Sequence, residues 1–81
     1  MNKIQFTFYN PEGKYKPITV TLTPRSEHEK ISELKSRAIQ KVKAERLWSN
    51  SDLLVKYKYT KCRFREVDEK GQPIRKINKR G

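Results

Sequence analysis

The feature that most constrains this chain is a change of hydrophobic period from two to 3.6 on either side of Pro24. Ile4, Phe6 and Phe8 alternate with Gln5, Thr7 and Tyr9, and Ile18, Val20 and Leu22 alternate with Thr19, Thr21 and Thr23. A strand turns successive side chains to opposite faces, so each run predicts a strand with one apolar and one polar face. Asn10-Pro11-Glu12-Gly13 between them is turn material, which predicts a hairpin whose two strands share one core.

Beyond Pro24 the spacing becomes helical: Ile31, Leu34, Ala38 and Val42 share a stripe, with Ile39 at its margin and Lys30, Arg37 and Lys41 along one flank. Ser26, followed three residues later by Glu29, matches a capping box and sets the expected helix at about Glu27 to Leu47. In Trp48 to Tyr59 two rules disagree. Ser49, Asn50, Ser51 and Asp52 open helices, whereas Val55, Tyr57 and Tyr59 alternate with Lys56 and Lys58 as a strand does. The helix-opening residues give a short helix over Asn50 to Tyr57.

Lys61 to Val67 reads as a third strand, with Cys62 and Phe64 inward and Lys61, Arg63 and Arg65 outward, closed by Asp68-Glu69-Lys70-Gly71. The expected fold is α+β: a three-stranded sheet in order 2-1-3, built ββα(α)β, with one long helix packed on one face. The crossover rule, applied to the first and third strands, predicts that they run parallel. Residues 1–69 form the expected domain and residues 70–81 a flexible basic tail.

An 81-residue chain fits one domain and buries only about 60–65% of the surface its unfolded form exposes, so its core is thin. The chain carries 20 Lys and Arg against 9 Asp and Glu, a formal charge of +11, more than solubility demands of a small domain. The tail supplies +5 of this and residues 1–69 supply +6, so the folded body is itself basic. A polyanionic partner is the expectation. Met1 to Tyr9 alternates rather than forming a secretory apolar run, and no stretch is apolar for the length of a membrane span. Cys62 is the sole cysteine, so neither an intramolecular disulfide nor a cysteine metal cluster is available. The expected compartment is the cytoplasm.

Catalytic candidates are few. His28, the only histidine, falls in the first turn of the expected helix, where a solvated polar side chain is the ordinary explanation. Cys62 could pair with it as a nucleophile, but a cysteine facing a core behaves as a small apolar residue. Glu66, Asp68 and Lys70, with Asp52 upstream, weakly resemble a metal-nuclease grouping, yet Asp68 to Gly71 reads as an exposed turn. The three glycines, at 13, 71 and 81, do not form a phosphate loop. No enzymatic activity, metal, cofactor or small-molecule substrate is therefore expected.

Surface chemistry remains. The sheet face away from the helix should collect Lys3, Gln5, Thr7, Tyr9, Thr19, Thr21, Lys61, Arg63 and Arg65. Phosphate oxygens accept hydrogen bonds from such donors, and tyrosines stack on unpaired bases. Outward threonines and cations are also what a merely solvated strand carries. Lys56, Lys58, Lys61, Arg63 and Arg65 are interleaved with Tyr57, Tyr59 and Phe64, a combination that single-strand binders use if the rings are exposed. If they are buried, Tyr57 or Tyr59 packs inside with Trp48. Arg75, Lys76, Lys79 and Arg80 of the tail add sequence-independent charge.

The expected function is electrostatic binding of DNA or RNA by an accessory protein, with Lys3, Lys56, Lys58, Tyr59, Lys61, Arg63, Arg65, Arg75, Lys76, Lys79 and Arg80 as contact residues. Five or six neutralised phosphates predict a salt slope near about −5 on duplex DNA. The alternative is an interaction module or inhibitor that docks on an acidic protein surface, through its strand edge or with Trp48 and Tyr59 as anchors. Small basic proteins of phages and mobile elements serve in either role.

Overall fold

The computed structural model describes residues 2–73. Its elements are β1 (Lys3–Tyr9), β2 (Ile18–Leu22), α1 (Ile31–Arg46), a π-helical turn (Asp52–Lys56) and β3 (Lys61–Val67). The three strands form one sheet in the order β2-β1-β3, with α1 packed on one face. The α+β architecture is thus the expected one.

One strand direction differs from expectation. β3 pairs antiparallel to β1, with Tyr9 opposite Lys61 and Lys3 opposite Val67. β2 is also antiparallel to β1, with Phe8 opposite Ile18 and Ile4 opposite Leu22. The strands linked by the crossover are therefore β2 and β3, parallel to each other on either side of β1. The chain leaves the sheet at the Ile4 end of β1 and re-enters at the Tyr9 end, which fixes β3 opposite in direction to its neighbour. The crossover rule constrains the strands that the helix connects, and β1 is not one of them.

The even positions of β1 and the apolar positions of β2 turn to the helix. Phe6, Phe8, Ile18, Val20 and Leu22 pack there against Leu34, Ala38 and Val42, joined by Leu53 and Tyr59. Phe6 has no exposed surface, and truncating a phenylalanine so placed costs about 3–5 kcal/mol. α1 lies over β2 and β1 and leaves β3 beyond its cover. Phe64, expected inward, is on the helix side of β3 and touches Phe6 at 5.9 Å, yet remains 54% exposed because no helix lies above it.

The helix begins four residues later than the capping box implied. Ser26 and Glu29 form a separate turn, in which the Glu29 carboxylate accepts the Arg25 N–H at 2.7 Å and Ser26 Oγ accepts the His28 N–H at 3.2 Å. At the true start, the Glu33 carboxylate accepts the N–H of Lys30, the residue before the first helical turn. The far end closes on Leu47 in the left-handed conformation, and the Trp48 N–H reaches back to the Lys43 carbonyl at 2.9 Å.

A full capping box occurs instead before the π-helical turn. Ser49 Oγ accepts the Asp52 N–H, and the Asp52 carboxylate accepts the Ser49 N–H. The turn follows from there, with the Tyr57 N–H bonded to the Asp52 carbonyl five residues back. This wider winding puts Leu53 in the core while Leu54 and Val55 stay exposed. After β3 the chain reverses at Asp68 to Gln72, and Pro73 bridges Val67. The expected tail begins inside this turn; Arg75, Lys76, Lys79 and Arg80 lie outside the described residues.

Candidate functional site

Pleating sends the odd positions of β1 and β3 to the face away from α1. The register sets Gln5 opposite Thr21 and Arg65, Thr7 opposite Thr19 and Arg63, and Tyr9 opposite Lys61. Lys3, Gln5, Thr7, Tyr9, Thr19, Thr21, Lys61, Arg63 and Arg65 thus share one face, the set expected from sequence. Reversing β3 leaves this set unchanged, because the direction of a strand does not alter which of its residues share a parity. No carboxylate is among them, and none of these cations makes a salt bridge among the described residues.

Two contacts order this face. Arg65 Nε donates to Gln5 Oε1 at 2.9 Å, which aims the guanidinium along the cross-strand pair. The Arg63 guanidinium carbon lies 5.8 Å from the centre of the Tyr9 ring, a diagonal cation–π contact between β3 and β1. A shallow groove runs between them, lined by Gln5, Thr7, Tyr9, Thr19, Arg63, Phe64 and Arg65. Its floor is hydroxyl and amide and its β3 wall is guanidinium, so every polar side chain offers a hydrogen-bond donor and the arginines add positive charge. Such a surface suits anionic oxygens, and bidentate guanidinium geometry matches carboxylate and phosphate alike.

The other expected contact residues separate into groups. Lys3 lies half-buried on the same face, at its Val67 end. Lys56 and Lys58 are exposed beyond the Tyr9 end of the sheet, with Lys56 Nζ 5.4 Å from the Tyr57 ring centre. Tyr59 is core: it is 6% exposed, its hydroxyl donates to the Lys16 carbonyl at 2.8 Å, and burial pushes its phenol pKa up. Its ring offers no free surface for a base. Tyr57 is half-buried, stacked on Trp48 at 4.4 Å and met edge-on by Tyr15 at 5.2 Å. Arg46 lies 5.6 Å from the centre of the Trp48 ring. Tyr57 and Trp48 thus turn their ring faces to each other, with Tyr15 against the edge.

A second depression adjoins the groove at the start of β3. Tyr9 and Arg63 line both, and Lys35, Lys61, Thr60 and Cys62 line the second with Asn10 and Pro11. Lys35 was absent from the sequence-based set. On a helix its neighbours in sequence gave no sign that its side chain reaches toward β3, which only the tertiary fold reveals.

The groups weighed for catalysis are dispersed in other tasks. His28 is exposed in the turn before α1, and burial pushes the Cys62 thiol up, away from the reactive thiolate. Asp52 caps the π-helical turn, Asp68 Oδ1 accepts the N–H groups of Lys70 and Gln72, and Glu66 accepts from Asn2 on the opposite face from the groove. No cluster of three metal-ligating side chains occurs among the described residues, and no described helix is long and apolar enough to cross a membrane. Comparison of the chain with protein families, with curated proteins and with solved structures found no match.

Proposed function

We propose that this protein binds nucleic acid through the open face of its sheet, with Arg63, Arg65, Lys61 and Lys3 on phosphate oxygens and hydroxyl and amide groups of β1 and β2 on sugars or base edges. The observation that supports this reading most is the one-signed charge of the face: its cations stand on a surface without a carboxylate. Outward cations occur on solvated strands too, but like charges on neighbouring positions of a sheet oppose folding where opposite charges favour it, so a face with cations alone carries a repulsion that nothing on it offsets. Here Arg63 and Arg65 follow Lys61 at alternate positions, each about 7 Å from the next. That self-repulsion is relieved by a polyanion. A phage or mobile-element protein acting in a host cytoplasm is the setting this reading expects.

A second reading has one observation in its favour. β3 is an edge strand that presents Phe64, 54% exposed, beside its cations, so an extended acidic protein segment can pair along it. Trp48 and Tyr59, the anchors expected for such docking, are engaged in the aromatic cluster.

The test is equilibrium binding of the full chain, stripped of co-purifying nucleic acid, to labelled single- and double-stranded DNA and RNA across a salt series. Micromolar or tighter binding at physiological salt is expected. Arg63→Ala/Arg65→Ala should weaken it at least about tenfold and make the log–log salt slope shallower by about 1.4 to 1.8. A chain ending at Pro73, which keeps the bridge to Val67, separates the tail from the face. Loss of binding only on that truncation would move the site to the tail, and failure to bind any of the four nucleic acids would leave the acidic protein partner.

A further inference from the structure

We infer that the ligand of this face is single-stranded, and that it leaves the open face by bending around the start of β3 toward Lys35; this rests on the nucleic-acid reading above. The groove over β1 and β3 and the depression beside Lys35 share Tyr9 and Arg63, so together they form one path rather than two sites. The path begins on the face opposite α1 and ends against a side chain of α1 itself. No carboxylate lines either part of it, and cations recur along its length at Arg65, Arg63, Lys61 and Lys35.

The change of direction decides the ligand class. A duplex stays straight over about 150 base pairs and cannot turn from one face of a three-stranded sheet to the other within a few residues. Lying straight on the open face, it would reach the arginines and leave Lys35 untouched. A single strand turns at each nucleotide and can keep its phosphates on all four cations. The spacing agrees: same-face positions of a strand repeat about every 7 Å, close to the separation of neighbouring phosphates in an extended single strand. From Arg65 to Lys61 is about 13 Å, and Lys35 adds one more phosphate, giving a site of about four nucleotides. Tyr9, at the junction of the two parts, is placed to stack a base while Arg63 holds the adjoining phosphate.

The experiment measures fluorescence anisotropy of the full chain with labelled oligothymidylates of 2, 4, 8 and 12 nucleotides and with a 12-base-pair duplex, at one moderate salt concentration for the length series and across a salt series for the 12-mer and the duplex. Affinity should climb steeply from two to four nucleotides and then only slowly, and the 12-mer should bind at least tenfold more tightly than the duplex. Lys35→Ala should weaken the 12-mer about threefold or more and reduce its salt slope by about 0.7, with duplex binding unchanged. Lys41→Ala, which removes the same charge from an exposed position of α1 outside the path, should change neither. Duplex bound as tightly as the 12-mer, or Lys35→Ala indistinguishable from Lys41→Ala, would overturn the bent single-strand path while leaving the open face as a nucleic-acid site. Absence of binding to every oligonucleotide and to the duplex would instead overturn the nucleic-acid reading and this inference with it.

Discussion

Asn10 and Tyr57, 47 residues apart, are joined by a 2.9 Å hydrogen bond from the Asn10 side-chain amide to the Tyr57 carbonyl. The Asn10 Oδ1 also accepts the N–H groups of Glu12 and Lys14, at 2.8 and 3.3 Å. One side chain thereby closes the β1–β2 turn and anchors the end of the π-helical turn to it, beside the entry to β3. Asn10 is 6% exposed, whereas Glu12 and Lys14 lie on the exposed turn and Tyr57 is half-buried.

Asn10→Leu should destabilise the fold by about 1–2 kcal/mol, since it removes the hydrogen bond to the half-buried Tyr57 carbonyl and the two that hold the turn amides of Glu12 and Lys14. Asn10→Asp keeps the acceptor and loses the donor, and it sets a carboxylate beside the Tyr57 carbonyl, so its cost should be comparable at neutral pH. Urea unfolding followed by Trp48 fluorescence measures both. A loss below about 0.5 kcal/mol for both variants would show that the loop holds without this amide.

Leu47 carries a φ of 57° at the C-terminal end of α1 and is 91% exposed. An L-residue in the left-handed conformation costs about 1–2 kcal/mol relative to the right-handed one, and glycine is free of that penalty. Almost no burial is lost on replacing so exposed a side chain. Leu47→Gly should therefore raise stability by about 0.5–1 kcal/mol, after the extra flexibility of glycine in the unfolded chain is allowed for. Leu47→Val, β-branched and poorer in this conformation, should lower it, and the two variants compared by thermal unfolding give the sign directly.

Glu29 connects the turn after β2 to the helix. Its carboxylate accepts the Arg25 N–H and takes two contacts from the Arg37 guanidinium, at 2.8 and 3.0 Å. The Arg25 hydrogen bond first, and the Arg37 hydrogen bond and charge with it, outweigh partial burial and hold its pKa below the ordinary 4.5. A folded-state pKa below the unfolded value gives stability that is complete above about pH 4.5 and is lost as pH falls through the folded value. Glu29→Gln should thus be less stable than wild type at pH 7, with the gap closing as pH drops below 4.5. Denaturant midpoints of both proteins from pH 7 to pH 3 measure this, and a constant gap over that range would assign the defect to packing rather than charge.

Much of the sheet was legible because period-two alternation reports burial on one face, and parity survives errors of topology. The open-face set from Lys3 to Arg65 was correct although the direction assigned to β3 was not. Boundaries were harder, because Ser26–Glu29 and Ser49–Asp52 present the same local pattern and only one of them opens helical structure. Local hydrogen bonding permits both, and the packing of Leu34 and Leu53 distinguishes where a helix can be buried. The exposure of Phe64, which faces the helix side as expected, and the reach of Lys35 toward β3 escape the sequence for one reason: both depend on where α1 crosses the sheet, and an amphipathic stripe encodes that a helix is covered but not which strands it covers.

Two tyrosines identical in composition but different in placement separate stability from binding. Tyr59 is buried and donates to the Lys16 carbonyl, so Tyr59→Phe should cost about 1 kcal/mol of stability and leave oligonucleotide affinity unchanged. Tyr9 projects from the open face under Arg63, so Tyr9→Leu removes a stacking surface while retaining an apolar side chain on β1. Base–aromatic stacking is worth about 1–3 kcal/mol, and the variant should lose at least about fivefold in affinity for single-stranded oligonucleotides with its unfolding midpoint nearly unmoved. Anisotropy titrations and urea unfolding of both variants give the four values needed. Should Tyr59→Phe weaken binding as much as Tyr9→Leu does, the aromatic contact would not lie on the open face, and the cluster of Tyr15, Trp48 and Tyr57 around Tyr59 would become the surface to test next.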